Sequence, residues 1–327
     1  MHPSDLGLIL SYQCQSTCAH CLYNCSPSWK EWMSIDDVRA ALLSTLNWDH
    51  HYQVHITGGE PFLNYPILLE STKIAVELGI PVYIETNAGW ALDDATVNEK
   101  LSELRSAGLQ AVLVSVSPFH AEKIPPERTL RLIRIASQIF GLGRAIIYQQ
   151  QWLDKIMQFG IEKTNPLSNY VSAFGTKDTG KLFWQGYGLI SGGRAGYSLG
   201  DLITKKPEEA FENDRCSYEL LHAHHSHFDL YGNFIPGFCG GISLGSWRDI
   251  PSLEDEVKCG TMPPLIKMLV EEGPYGLYEL AAREYGYQSL PEGYAGKCHL
   301  CVNIRRHLVK NGDFDELRPI QFYEKLE

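Results

Sequence analysis

No stretch of this 327-residue chain approaches the roughly 20 consecutive apolar residues that cross a bilayer. The opening MHPSDLGLILSYQC has a short apolar stretch but neither a basic flank nor a small-residue cleavage site, so it reads as a first buried strand rather than an export signal. Basic charge is scarce as well. Lys and Arg number 28 against 39 Asp and Glu, leaving a net charge of −11, and no basic run exceeds two or three residues. Phosphate backbones are bound by clustered cations, so a nucleic-acid substrate is not expected. No internal repeat or low-complexity tract is present. With 44% hydrophobic and 20% charged residues the composition is that of an ordinary folded protein. The expectation is a cytoplasmic protein with no membrane association.

Cysteine is not scarce. Nine occur, at 14, 18, 21, 25, 216, 239, 259, 298 and 301. An odd count, no export signal and clustering near the two ends of the chain favour metal ligation over disulfides.

From residue 6 to about 200, short β-rich runs alternate with helical patterns, as in a parallel α/β sheet. Strands are expected at Leu6–Tyr12, Gln53–Thr57, Val82–Glu85, Val112–Val116 and Ala145–Tyr148. Helices are expected from Ser34, as N-cap, to about Leu46, then over Ile67–Leu78, Ala95–Ala107 and Glu127–Phe140. A sixth unit would pair a helix at Trp152–Ile161 with an extended Phe183–Ile190. The fold class is therefore α/β, a partial (β/α)6 TIM-like barrel, whose chemistry gathers at the strand C-terminal ends. Beyond about 205, acidic and Pro-containing segments alternate with Gly-rich turns around five cysteines. The expected division is 1–204 for the barrel and 205–327 for a small, loop-rich module organised by metal.

Cys14, Cys18 and Cys21 form a C-x3-C-x2-C run after the first strand. At this cysteine frequency the spacing arises by chance in roughly 0.7% of such chains, so it carries information. Iron–sulfur clusters are normally held by four thiolates, and three on one loop leave one iron open. The alternative is a zinc knuckle that borrows a distant ligand or His20. Thr57-Gly58-Gly59-Glu60-Pro61 follows the second strand. Its glycines permit close backbone approach and Glu60 can accept from an ammonium group.

Taken together, the triplet and the GGEP turn resemble the radical S-adenosylmethionine (SAM) superfamily. The resemblance implies a [4Fe–4S] cluster on Cys14, Cys18 and Cys21, with SAM on its open iron. Gly58, Gly59, Glu60 and Pro61 would lie at the SAM amino end, with Asn87 and Ser115 after the third and fourth strands as further contacts. Arg194, in Gly193-Arg194-Ala195, would pair with the SAM carboxylate. Turn chemistry is the bland reading for Asn87, Ser115 and Ser117. The implied reaction is reductive cleavage of SAM to a 5′-deoxyadenosyl radical that takes hydrogen from a substrate, with electrons from a donor such as flavodoxin or ferredoxin. Cys25 must then stay off the iron, as a buried or nearby thiol.

Cys216, Cys239, Cys298 and Cys301 resemble the ligands of SPASM/twitch auxiliary modules, which implies one auxiliary [4Fe–4S] cluster, with a zinc site as the alternative. Cys259 falls outside that pattern and reads as structural. In Leu221-His222-Ala-His224-His225-Ser-His227 the histidines are either solvated or a metal or acid–base site. Such modules imply a peptide or protein substrate that is crosslinked, epimerised or oxidised. The CLYNCSP and CHLC segments resemble a subgroup that includes peptide epimerases, yet with Cys239 as ligand only Cys25 or Cys259 would be left to donate hydrogen. No catalytic side chain is singled out. A radical SAM enzyme of small-molecule or cofactor biosynthesis, and a non-catalytic zinc-binding protein, are the competing readings.

Overall fold

The computed structural model describes residues 3–324 and 326, apart from residue 49. The described chain forms two compact units. One comprises Ser4–Cys18 and Cys25–Gly175, the other Ala19–Asn24 and the chain from Thr176 onward, together with Pro3. The composition change near residue 205 falls inside the second unit.

The first unit is α/β. Strands β1 (Asp5–Ile9), β2 (Gln53–Thr57), β3 (Val82–Thr86), β4 (Ala111–Ser115) and β5 (Ala145–Tyr148) pair in parallel in the order β5-β4-β3-β2-β1. β1 and β2 are buried almost throughout, as strands covered on both sides must be. Helices α1 (Ile35–Leu43), α2 (Tyr65–Glu77), α3 (Asp94–Ser106), α4 (Pro126–Phe140) and α5 (Gln151–Met157) alternate with them. Local chemistry sets their starts. The Ser34 hydroxyl accepts from Asp37 N at 3.1 Å, and Asp93 accepts from Thr96 N at 2.8 Å. α4 turns Leu132, Ile135, Ala136 and Phe140 inward at helical spacing.

The sixth expected strand is not formed. Leu182–Gly186 is a short π-helical segment, and no strand occurs between β5 and residue 225 among the described residues. Phe183 is buried there by the helical turn, so its apolar character misled the reading of an extended segment.

The second unit is more helical than the loop-rich module expected. It contains a hairpin, β6 (His225–Asp229) and β7 (Phe234–Pro236), then α6 (Ile250–Cys259), α7 (Pro264–Glu271), α8 (Gly273–Tyr285) and α9 (Lys297–Asn311). It also has an apolar core of its own, which includes Leu265, Leu269, Leu277, Leu300, Ile304 and Phe322. That core, rather than loops, organises the unit. Among the described residues no helix is long and apolar enough to cross a membrane.

Candidate functional site

In the first unit the chemistry gathers beyond the C-terminal ends of β1, β2 and β3. The β1–β2 register, which pairs Ile9 with Thr57, continues past the strands: Gly59 N donates to Ser11 O at 2.8 Å and Glu60 N to Gln13 O at 2.9 Å. The two loops therefore lie against each other. A Cβ on Gly58 (φ 138°) would sit 2.2 Å from Ser11 O, and one on Gly59 would sit 2.0 Å from Gln13 O and 2.9 Å from Cys14 Cβ. Only glycine permits this approach.

Cys14 and Cys18 are both buried. Cys14 Sγ accepts from Ser16 N and from Asn87 Nδ2, each at 3.4 Å. Such donors favour a thiolate. Asn87 is fixed in turn, its Oδ1 accepting from Gln15 Nε2 at 2.7 Å and Gly89 N at 2.8 Å. Gln15 was not anticipated; its only signal was its position beside the first cysteine.

Glu60 is 1% exposed. It caps the turn at Pro61–Asn64, accepting from Phe62 N at 3.2 Å. Asn87 N donates to it at 2.9 Å, and the Thr86 hydroxyl lies 2.9 Å from both of its oxygens. Thr86 Oγ1 itself accepts from Ala88 N and Trp90 Nε1, so its single proton is available to Glu60. A carboxylate has about four acceptor positions, and three hydrogens fill three of them. Burial pushes the Glu60 carboxyl up to about 7 against the pull of these donors. No cation accompanies it among the described residues. Ser115, by contrast, donates to Glu85 Oε1 at 3.2 Å while Thr57 donates to Oε2 at 3.3 Å. Ser117 caps the turn at Pro118–Ala121. Cys25 is buried, as expected.

Cys21 lies in the second unit. Its carbonyl accepts from Arg194 N at 3.0 Å, and Gly193 (φ 53°) approaches so closely that a Cβ would be 2.3 Å from that oxygen. Arg194 is buried and its Nε donates to Asn24 Oδ1 at 2.9 Å, while Asn24 Nδ2 donates to Phe322 O at 2.8 Å. Gly193-Arg194 thus clamps the loop that carries Cys21.

Also in the second unit, Cys216, Cys239, Cys298 and Cys301 line one cavity with Leu220, Ile242 and Val302. Cys216 precedes a helical turn at Ser217–Leu221, Cys239 sits in the turn after β7, and Cys298 and Cys301 occupy the first turn of α9. Burial, and then the neighbouring thiols, push Cys216 and Cys239 upward and Cys298 to about 12. Among the described residues no three of these sulfurs fall within 4.8 Å of one another. Lys297 Nζ reaches Glu219 Oε1 at 2.6 Å at the cavity wall, and Arg305 lines it too. Arg305 went unread in the sequence, although 298, 301 and 305 repeat at i, i+3, i+7, one helix face.

Cys259 is exposed at the end of α6 rather than built into the core. His222 ends the turn after Cys216, and only His225 and His227 lie on β6. Their Nε2 atoms are 3.1 Å apart and the Tyr23 hydroxyl lies 3.0 Å from His227 Nδ1.

Comparison with known proteins fits the first of these sites. Residues 8–142 match the radical SAM superfamily model. YydG of Bacillus subtilis (strain 168), a protein assigned to peptide biosynthesis, is 25% identical over 121 residues. That alignment covers 37% of this chain and 38% of the relative, well under half of either. Among solved structures, SuiB of Streptococcus suis bound to S-adenosylmethionine is 15% identical, covering 91% of this chain and 77% of that one, at a TM-score of 0.47. For anSMEcpe with bound AdoMet and the Cp18Cys peptide the values are 13%, 99%, 95% and 0.46. Cys14, Cys18, Cys21, the Gly58–Gly59–Glu60 turn, Asn87 and Ser115 all lie within residues 8–142, the stretch that matches the radical SAM superfamily model.

Proposed function

We propose that the chain is a radical SAM enzyme that modifies a peptide or protein, with one [4Fe–4S] cluster on Cys14, Cys18 and Cys21 and an auxiliary cluster on Cys216, Cys239, Cys298 and Cys301. The observation that carries the first part is Glu60: a buried carboxylate with one acceptor position left over and, among the described residues, no cation beside it. The SAM ammonium supplies the missing donor and the missing charge. Gly58 and Gly59 keep the backbone close enough for that approach. Asn87 donates to Cys14 and so holds a ligand sulfur in place. Arg194 is the candidate for the SAM carboxylate, and Ser115 for a further SAM contact.

When bound, cluster and SAM together supply a 5′-deoxyadenosyl radical that takes a hydrogen atom from the substrate. The protein's part is to hold the SAM amino end, to orient Cys14 and to keep water from the reacting centre.

The four-thiol cavity favours a cluster over zinc. A tetrathiolate zinc with bonds of about 2.3 Å would bring its sulfurs within about 3.8 Å of one another. Sulfurs on different irons stand further apart, and among the described residues no three of these four come within 4.8 Å of one another. The peptide reading draws on YydG and its assignment to peptide biosynthesis.

Anaerobic reconstitution tests the proposal. A brown protein that releases 5′-deoxyadenosine from SAM under dithionite is expected, with a mass change in a candidate peptide. A colourless, zinc-loaded protein that releases none refutes the enzyme reading. Release that survives replacement of Cys14, Cys18 and Cys21 by Ala refutes the ligand assignment.

A further inference from the structure

We propose that Arg305 is the charge partner of the auxiliary cluster and holds its reduction potential up. The inference rests on the four-thiolate reading above and adds a positioning residue to it.

Arg305 is 3% exposed and lines the cavity of Cys216, Cys239, Cys298 and Cys301. It follows Cys301 by one turn of α9, on the face that carries Cys298 and Cys301. A buried guanidinium is normally paired with a carboxylate. The hydrogen-bond acceptors around this one are neutral: Nη1 donates to Gly240 O at 3.1 Å and to the Tyr323 hydroxyl at 2.6 Å. Among the described residues Nε has no hydrogen-bond partner. The carboxylate at the same cavity, Glu219, is taken by Lys297. Tyr323, whose hydroxyl donates to Gly241 O, braces the guanidinium and lies with its ring 5.5 Å away.

Among the described residues no carboxylate pairs with the guanidinium, and it shares its cavity with the four cysteines. Four thiolates around a [4Fe–4S]2+ core carry a net charge of 2−. One electron from dithionite takes that to 3−, with no bond made or broken. A fixed cation and an N–H···S donor stabilise the more negative state more, so they raise the potential. Arg suits this role because its charge cannot be lost by deprotonation and its planar fork can donate to sulfur and carbonyl together.

The test uses the full chain with Cys14, Cys18 and Cys21 replaced by Ala, so that any remaining cluster is the auxiliary one. Reconstituted anaerobically, it should hold one cluster's worth of iron and sulfide. Dithionite titration followed by electron paramagnetic resonance then gives the potential of this parent and of its Arg305→Gln and Arg305→Lys derivatives. Arg305→Gln should shift the reduction equilibrium at least tenfold toward the oxidised form, about 59 mV for one electron, with Arg305→Lys shifted less. A parent that takes up zinc or no iron overturns the four-thiolate reading itself. A parent with its cluster, and an Arg305→Gln potential unmoved, overturns the Arg305 proposal alone. Should Arg305→Gln fail to fold, 15N-arginine labelling of the parent decides. Coupling of the labelled nitrogen to the reduced cluster is expected, and its absence overturns the proposal.

Discussion

Replacing Glu60 by Gln should change how stability depends on pH, and the size of the change follows from the carboxyl's surroundings. The side chain is buried, and burial raises its pKa from 4.5 to about 7 despite the donors of Asn87, Thr86 and Phe62. The unfolded chain loses this proton near 4.5 and the folded chain near 7, so stability present below 4.5 is lost as pH rises through that window. At 1.36 kcal/mol per unit the loss reaches about 3 kcal/mol by pH 8, of which about 2 kcal/mol falls between pH 5.5 and 8. The uncharged glutamine side chain escapes that loss. Its amide, however, turns N–H groups toward other N–H groups, and the unmatched donors cost about 1–3 kcal/mol at every pH. The variant should therefore be up to about 2 kcal/mol less stable than wild type at pH 5.5, and equal to it or up to about 2 kcal/mol more stable at pH 8. Urea unfolding followed by tryptophan fluorescence, without SAM, measures the difference at each pH. Parallel curves for the two proteins across that range refute a buried carboxylate without a counter-ion. SAM binding supplies a second reading: the wild-type Kd should tighten up to about tenfold per pH unit on approaching 7, and that of Glu60→Gln should stay flat.

Gly59→Ala places a methyl 2.0 Å from Gln13 O and against Cys14 Cβ; it should cost at least about 1–3 kcal/mol and, in iron analysis after reconstitution, remove the N-terminal cluster while sparing the C-terminal one. Asn87→Ala strips a donor from Cys14 and leaves Gly89 N without its acceptor. A loss of about 1–3 kcal/mol in urea unfolding is expected, together with slower 5′-deoxyadenosine release; unchanged release denies Asn87 a part in the site. Replacing Cys298 and Cys301 by Ala should halve the iron content and leave SAM cleavage uncoupled from product, whereas Cys259→Ser, at an exposed position, should leave both intact. Full iron in the double variant removes the auxiliary cluster from that cavity.

What could be read from the sequence was whatever local periodicity and spacing determine. Gln53–Thr57 and Ala145–Tyr148 form strands with the bounds expected, and Ser34 caps its helix, because each depends on neighbours in the chain. The segment around Phe183 failed because a short apolar run does not distinguish a strand from a buried helical turn. The second unit was misjudged for a related reason. α7 and α8 meet at Glu272–Gly273 with only a break in the helix between them, and the Gly and Pro there read as loop. Its core then comes from residues far apart in sequence, such as Leu220, Leu277 and Phe322, which no window brings together.

The site residues divide along the same line. The cysteines and glycines were legible because spacing marks them, but the charges that give the site its chemistry were not. Glu60 stood out as part of a turn, yet nothing in the sequence says that it is buried without a cation. Arg305 is one arginine among several in a helical stretch until the fold encloses it beside four thiols. Burying an ion without an opposite charge is costly enough that folded proteins seldom do so unless something else completes the pair. Here one anion and one cation are each buried in a separate unit, Glu60 on the turn packed against the Cys14 loop and Arg305 beside four cysteines of its own unit. In both places the protein supplies the hydrogen bonds and, on the function proposed above, leaves the counter-charge to a ligand. An ammonium satisfies the first and an anionic cluster the second, so the two counter-charges differ in sign as the proposed ligands do. Because the two units fold around different residues, Glu60→Gln and Arg305→Gln should act independently: the first should alter SAM affinity without moving the auxiliary potential, and the second the reverse. Coupling between the two variants, beyond the roughly 0.3–0.5 kcal/mol within which distant sites add, would mean that the two charges do not serve separate ligands.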